Sequence, residues 1–433
     1  MDFRDSPEEA AFRDQARAWL TANATPRDPA QVEPGVFEHW PSAEQMQAAR
    51  AWQRRKFDAG WAGVFWPPEY GGRGGTIMQQ IIWNQEERRV VTPPAVLLMG
   101  QGHVGYTLLS HGTPEQKQRW LPPTLRGEYA WCQLFSEPGA GSDFAALACA
   151  ATREGDAWRI RGEKIWISDG AYADFGFLVT RTDPDGPKHK GLTCFVVDMR
   201  APGVSVLDVR HPNGGSHFSH VRFEDLRVAD ADRVGAVNDG WRVALTTLMY
   251  ERFFVGAWGS SGAFGGPQLR HLLELAAKCE RNGRSALQDG AVRQRLAAFA
   301  VRAKALTHMS YRVLTTVSQG GIPGPEGSIV KMEFARMSQE MANFGLELMG
   351  PEAMLAGTDA PWDGVFQAAL LENPCMRIAG GTDEIQRTII GERLLGLPQE
   401  QPPPKGLPFR DMPRGGGWRS PLGDDAPRRS GAF

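Results

Sequence analysis

Apolar residues recur at helical spacing from the start of the chain. Ser6-Pro7-Glu8-Glu9 is a capping box with proline in the first turn, and Phe12, Ala16, Trp19 and Leu20 follow on one face, which predicts an opening helix. The same period returns in SAEQMQAARAWQRRKFDAG (42–60), TIMQQIIWNQEERRVV (76–91) and TPEQKQRWLPPTLRG (113–127), each closed by glycine or broken by proline. Residues 1–127 therefore read as a helical domain. From Glu128 the period drops to two: Phe175, Phe177 and Val179 alternate, then Phe195 and Val197, then Val204 and Val206, with Gly, Pro and Asp turns between them. Short strands with no helix among them predict an antiparallel barrel or sandwich over 128–233. Helical spacing resumes after Asn238-Asp239-Gly240. Val330, Phe334, Met337, Met341, Phe344 and Leu348 follow 4-3-4-3-4 spacing, the seam of a long bundle helix, so 234–398 reads as a four-helix bundle. Residues 399–433 are rich in Pro, Gly and Arg with few aliphatics, which predicts a flexible tail. The fold class is α+β and multidomain, without internal repeats.

Composition narrows the partners. The chain has 433 residues, 42% of them hydrophobic and 23% charged, with a formal net charge of −2. That balance carries no basic surplus to neutralise phosphates, which argues against nucleic acid. The N-terminus is charged and amphipathic, and no window approaches the roughly 20 apolar residues that span a bilayer, so no membrane partner and a cytoplasmic location are expected. Five scattered cysteines (132, 149, 194, 279 and 375) form no CxxC pair and read as reduced structural thiols rather than zinc ligands.

Two motifs lack the context that would give them meaning. GQGHVG (100–105) matches G-x-G-x-x-G, but it follows the helical-looking PPAVLLM with no βαβ alternation around it. His211, His217 and His220 lie in HPNGGSHFSH without a helical His-x3-His or a nearby cysteine, so no metal is expected.

Chemistry concentrates elsewhere. CQLFSEPGAGSD (132–143) sets Gln133, Phe135 and Ser136 ahead of a Gly139-Ala140-Gly141 turn and Ser142, offering hydroxyls and bare amides to a polar ring or phosphate. GEKIWIS (162–168) carries Trp166 and Ser168, which in a regular strand point to one side, as stacking and hydrogen bonding to one flat cofactor require. In GGTDEIQRTIIGERLLGLP (380–398) two glycines precede Thr382, Asp383 and Glu384 at a helix start, a place where backbone amides receive an anion or a polarised oxygen.

These blocks, with WPPEYGGRG (66–74) and GTPEQKQRWLP (112–122), occur in the order found in the acyl-CoA dehydrogenase family, which the chain resembles from about residue 3 to 398. The resemblance implies a helical domain, a β-domain and a second helical domain, with FAD between the latter two and a neighbouring subunit. Phe135 and Ser136 would then face the flavin pyrimidine, with Gln133 and Gly141 in the same cofactor block. Trp166 would stack on the isoalloxazine and Ser168 would reach N5. Ser142 would also touch the pantetheine arm of CoA, while Gly381, Thr382 and Glu384 would meet FAD at the helix start. The implied reaction removes the α-proton of an acyl-CoA and passes a β-hydride to flavin, leaving a trans-2-enoyl-CoA, with an electron-transfer flavoprotein as acceptor. The implied assembly is a homodimer or homotetramer, or an α2β2 heterotetramer.

Many members carry the α-base as a glutamate immediately before the Gly-Thr of the last block, where this chain has Gly380. Long-chain and isovaleryl branches place it instead in the first long helix after the β-domain, and here that position holds Glu251-Arg252. The resemblance thus implies Glu251 as the base, Arg252 beside the substrate and the Gly380 amide on the thioester carbonyl. Burial against a flavin would raise the Glu251 pKa toward neutrality. Two elements depart from the family pattern. Arg281 or Arg284 stands in KCERNGRSALQDG (278–290) without the usual Phe-Gly, and Glu347 replaces a glutamine that contacts the partner's FAD. Branches with such changes act on bulky acyl-CoAs, so a branched, cyclic or otherwise bulky substrate is expected. A flavin monooxygenase or nitroalkane-oxidase-like activity, or a structural subunit of a heteromeric dehydrogenase, are the rival expectations.

Overall fold

The capping boxes open their helices through reciprocal hydrogen bonds. Ser6 accepts from the Glu9 amide while the Glu9 carboxylate accepts from the Ser6 amide, starting α1 (Pro7–Asn23). Ser42 and Gln45 do the same for α2 (Ala43–Asp58), and Thr76 and Gln79 for α3 (Ile77–Glu87). A π-helical turn (Met99–Val104) runs into α4 (Gly105–His111), and a further box at Thr113 and Gln116 opens α5 (Pro114–Leu125). Phe12, Ala16 and Leu20 of α1 bury against Trp61, Ile82 and Trp83, the two indoles stacked at 4.8 Å. This is a computed structural model, and it describes residues 4–28, 41–259, 268–319, 324–399 and 406–412; the side chains of 252–259 and 317–318 lie outside the description.

The central sheet has eight strands: β1 (Trp131–Leu134), β2 (Ala150–Glu154), β3 (Ala157–Ser168), β4 (Phe175–Arg181), β5 (Leu192–Asp198), β6 (Val204–Val209), β7 (Phe218–Ala229) and β8 (Arg233–Val234). Its order is β6-β7-β3-β2-β4-β5-β8, with β1 added on β4. Pairing is antiparallel except that β1 runs parallel to β4 and Ala150 pairs in parallel with Arg181. The purely antiparallel expectation is corrected there: the long excursion through β2 and β3 supplies the crossover that a parallel pair needs. Alternation sorts the two faces. Trp131, Phe135, Phe177, Val179, Cys194 and Val196 join a core shared with the N-terminal helices, while Cys132, Leu134, Leu178, Phe195 and Val197 face a second core inside the β-domain.

The C-terminal region opens with α6 (Gly240–Gly259) and α7 (Leu269–Lys278). A short hairpin pairs Glu280–Arg281 with Arg284–Ser285, turning on Asn282-Gly283 with both residues left-handed. Helices α8 (Gly290–Ser318), α9 (Glu326–Met349) and α10 (Val365–Met376) follow, then the short α11 (Asp383–Ile389). Five of the six seam residues of α9 are buried and Phe334 packs beside them. Among the described residues no helix is long and apolar enough to cross a membrane.

Part of the segment read as a flexible tail is docked. Phe409 is buried with the Arg181 guanidinium 3.9 Å over its ring, and its amide donates to the Gly186 carbonyl at 3.0 Å. An aromatic within a Pro-rich stretch supplies an anchor that composition averages away.

Candidate functional site

The glycine pair follows α10 in left-handed backbone, Gly380 at φ +62° and Gly381 at φ +92°. Its carbonyls are tied back: the Gln386 amide donates to Gly380 O at 2.8 Å and to Gly381 O at 3.3 Å, and Lys331 Nζ donates to Gly381 O at 2.6 Å. Arg377 clamps the buried Asp383 with bonds of 2.5 and 2.8 Å, and Thr382 caps α11 by accepting from the Ile385 amide at 3.3 Å. Among the described residues no protein acceptor engages the Gly380 amide, which leaves a donor available. Burial lowers the Lys331 pKa, partly offset by Asp383, Cys375 and Glu251 nearby.

Glu251, on α6, meets this pair. A Cβ added to Gly380 would lie 3.7 Å from Glu251 Oε1 and within 4 Å of nothing else. The carboxylate therefore stands in contact distance of the place where a side chain at 380 would begin, although the two positions are far apart in sequence. Glu251 is half-buried, and Gln133 Nε2 donates to its Oε2 at 3.2 Å. The Arg252 side chain lies outside the described residues.

The loop after β1 is set from below. Glu137 accepts from the amides of Ala148 (2.6 Å) and Cys149 (2.9 Å) and from the buried Lys164 Nζ (2.7 Å), which also donates to the Phe135 carbonyl. This lock folds 136–149 against β3, and the sequence reading assigned Glu137 and Lys164 no part in it. Gly139 and Gly141 have open space where a Cβ would stand, and Gly141 and Ser142 are exposed. The Phe135 side chain does not face outward as expected. It is buried and stacked on Phe144 at 5.0 Å, because Trp131, Gln133 and Phe135 share the strand face that packs on the helices. Ser136, half-buried, accepts from the Ile165 amide through its carbonyl at 2.9 Å.

Trp166 and Ser168 also depart from simple alternation. The register with β7 shifts between Lys164 and Ile167, and Trp166 sits in this bulge at φ +61°. Its indole is 56% exposed, and it is the one tryptophan among the described residues with so open a side chain. Ser168, paired with Phe218, is half-buried. The bulge, invisible to a period-two reading, aims the aromatic plane outward.

The remaining candidates fall into two groups. Glu384 is exposed and pairs with Arg387 at 3.2 Å; hydrogen bonds at the start of α11 hold its carboxyl below the usual range. Arg281 lies in the exposed hairpin, 3.7 Å from Asp289, and Glu347 pairs with Arg295, so these contacts stay within the bundle and away from the Glu251–Gly380 pair. A polar cleft of about 350 Å³ lies beside α11, lined by Arg336, Gln339, Glu340, Asn343, Arg377 and Arg387. His220 bonds Glu163 at 2.7 Å and His211 accepts from the Phe218 amide at 3.2 Å; among the described residues no group of acidic, His or Cys side chains forms a metal site. His103, passed over within GQGHVG, is buried on the π-helical turn. A polar residue recurring on a buried face, as at His103 and Gln133, is the signal that marks them.

The surfaces present suit FAD: an outward indole, a glycine turn with room for close approach, hydroxyls at Ser136, Ser142 and Ser168, and arginines beside the Thr382-capped helix.

Comparison with known proteins agrees with this domain order. Family models for the acyl-CoA dehydrogenase N-terminal, middle and C-terminal domains match residues 6–128, 132–226 and 238–395. The chain is 38% identical over 342 residues to acyl-CoA dehydrogenase FadE34 of Mycobacterium tuberculosis, covering 79% of this chain but only 45% of that protein's length. It is 34% identical over 392 residues to acyl-CoA dehydrogenase IpdE1 of the same organism, covering 90% and 98%. The solved structure described as Tcur3481-Tcur3483 steroid ACAD superposes with a TM-score of 0.75 at 26% identity, over 92% of this chain and 100% of that one. With all three domains matched in order, the chain belongs to the acyl-CoA dehydrogenase family.

Proposed function

We propose that this protein catalyses α,β-dehydrogenation of a bulky acyl-CoA thioester to the trans-2-enoyl-CoA, with Glu251 as the α-base. The observation that carries the reading is the 3.7 Å approach of Glu251 Oε1 to the Cβ position of Gly380. An α-proton beside a thioester is weakly acidic, so its removal needs a donor on the carbonyl oxygen and a carboxylate aimed at Cα. The Gly380 amide serves as the donor and stabilises the charge that develops on that oxygen. Glu251 takes the proton. A bound flavin supplies the two-electron acceptor for the β-hydride. Phe135 and Ser136 through their backbone, Trp166, Ser168, Gly381, Thr382 and Glu384 would hold that cofactor, and Ser142 with Arg252 would hold CoA.

Gly380 removes side-chain volume next to Cα, which supports a branched or cyclic acyl group, as does likeness to a structure described as a steroid enzyme. An electron-transfer flavoprotein is the proposed acceptor, and a homodimer, homotetramer or heterotetramer the proposed assembly, with Arg281 and Glu347 reaching the partner's cofactor. The test is anaerobic flavin bleaching with straight, branched, aromatic and steroidal acyl-CoAs. Fast bleaching by the bulky esters is expected, and Glu251→Gln should bind flavin yet lose reduction by about 10²–10⁴-fold, the usual share of a general base. Full reduction by that variant, or oxygen consumption independent of acyl-CoA, would sink the proposal.

A further inference from the structure

A base on a helix needs more than proximity, because its side chain has several rotamers and few aim an oxygen at the substrate. Helix α6 is fixed by α4 along one face. Thr107 and Thr247 hydroxyls lie 2.9 Å apart in the buried interface, His111 Nε2 meets the Thr246 hydroxyl at 2.8 Å, and Tyr106 stacks on Tyr250 at 4.7 Å. Thr247 precedes Glu251 by one turn, so the clamp and the carboxylate share a helix face.

Beside this clamp the two carboxylate oxygens of Glu251 are treated differently. Oε2 accepts from Gln133 Nε2 at 3.2 Å, whereas Oε1 is the oxygen 3.7 Å from the Cβ position of Gly380. The Gln133 side chain in turn meets the His103 ring, buried on the π-helical turn. Burial drives that ring toward its neutral form, while Glu251 and the Gln133 contact favour the charged form.

We propose that Gln133, beside His103, is the positioning group of the α-base: it holds Oε2 and leaves Oε1 to receive the α-proton. The inference rests on the reading of Glu251 as the base. Among the described residues, the charged and titratable groups that interact with Glu251 are His103 from the π-helical turn and Lys331 from α9.

The test compares wild type with Gln133→Leu, Gln133→Asn and His103→Ala in anaerobic single-turnover flavin reduction across pH, with flavin content and enoyl-CoA affinity measured in parallel. Gln133→Leu is expected to slow reduction by about 10–100-fold, the scale of a misaimed catalytic group, with flavin content and product affinity retained. The acidic limb of its rate–pH profile, where a required base gains its proton, should move to higher pH as that base loses a hydrogen-bond donor. His103→Ala should show a smaller loss in the same direction. Thermal unfolding of the flavin-free variants separates folding from positioning. An unchanged rate and profile in Gln133→Leu overturns the proposal, as does a rate loss matched by an equal loss of product affinity. Should the leucine variant fail to fold, Gln133→Asn decides, because its shorter amide cannot span the gap and wild-type kinetics there overturn the proposal. Glu251→Gln is run alongside. Full reduction by that variant defeats the base reading itself, whereas a dead Glu251→Gln with a normal Gln133→Leu defeats only the positioning role.

Discussion

Gly380 holds φ +62°, a region that an L side chain enters at a cost of about 1–2 kcal/mol. Its backbone thus favours glycine even before the substrate is considered, and a carboxylate side chain there would crowd the one from α6. Alanine is the informative change, since its Cβ would meet Glu251 Oε1 at an ordinary 3.7 Å and leave the base in place. Gly380→Ala is expected to fold with a stability loss of about 1–2 kcal/mol. Its preference for bulky over straight-chain acyl-CoA, measured as the ratio of kcat/KM values, should fall about tenfold, the usual worth of one methyl in a pocket. An unchanged ratio would show that the acyl group does not use this space. Trp166 carries a comparable backbone cost at φ +61° with its side chain largely in solvent beside an edge contact to Phe218 at 6.1 Å, an open face that a flat ligand would cover.

Between elements, the bundle is tightest where α9 crosses α10. A Cβ on Gly345 would lie 2.2 Å from the Phe366 ring, so the two helices approach as closely as they do because position 345 has no side chain. Gly345→Ala should destabilise by about 1–3 kcal/mol through overpacking, and adding Phe366→Leu should recover part of that loss by yielding ring volume. Denaturant unfolding of both singles and the double tests the coupling; additive losses would mean that the helices move apart instead. The seam that leads to this contact was legible, since the spacing from Val330 to Leu348 names the buried face of α9. The capping box at Ser6–Glu9 was legible for the same reason: a local pattern has a local partner. Alternation named the sheet faces but failed at Trp166, because a bulge changes the phase without changing composition. Glu251 enters as a candidate through the glycine at 380 and a family pattern, not through its own surroundings. His103 was hidden inside a glycine motif that resembles a nucleotide loop, and only the packing of the π-helical turn against β1 and α6 reveals its relation to Gln133.

On the scale of the molecule, the three regions share surfaces instead of sitting apart. One core runs from Trp66 and Trp120 through Trp131 and Phe177 to Val243 and Ala244, so the helix that bears Glu251 is packed on both the N-terminal helices and the sheet. Arg181 ties the segment after the glycine loop to the β4–β5 connection, donating to Ala145 O at 2.6 Å and to Lys188 O at 2.8 Å. Burial lowers the Arg181 pKa to about 10, and the face of its guanidinium is covered by Phe409. The docked segment 406–412 thus closes the back of the loop that carries Ser142, joining the chain's last described residues to its candidate CoA contact. Phe409→Ala should cost about 2–4 kcal/mol, from lost burial and a desolvated cation–π contact. The same variant should leave the flavin reduction rate at saturating substrate near wild type while raising KM for acyl-CoA, because the loop loses its support and the base does not. Thermal unfolding and steady-state kinetics check the two halves separately. A stability loss with KM unchanged would confine the segment to a structural brace, whereas a fall in the reduction rate itself would mean that the loop also sets the geometry at Glu251.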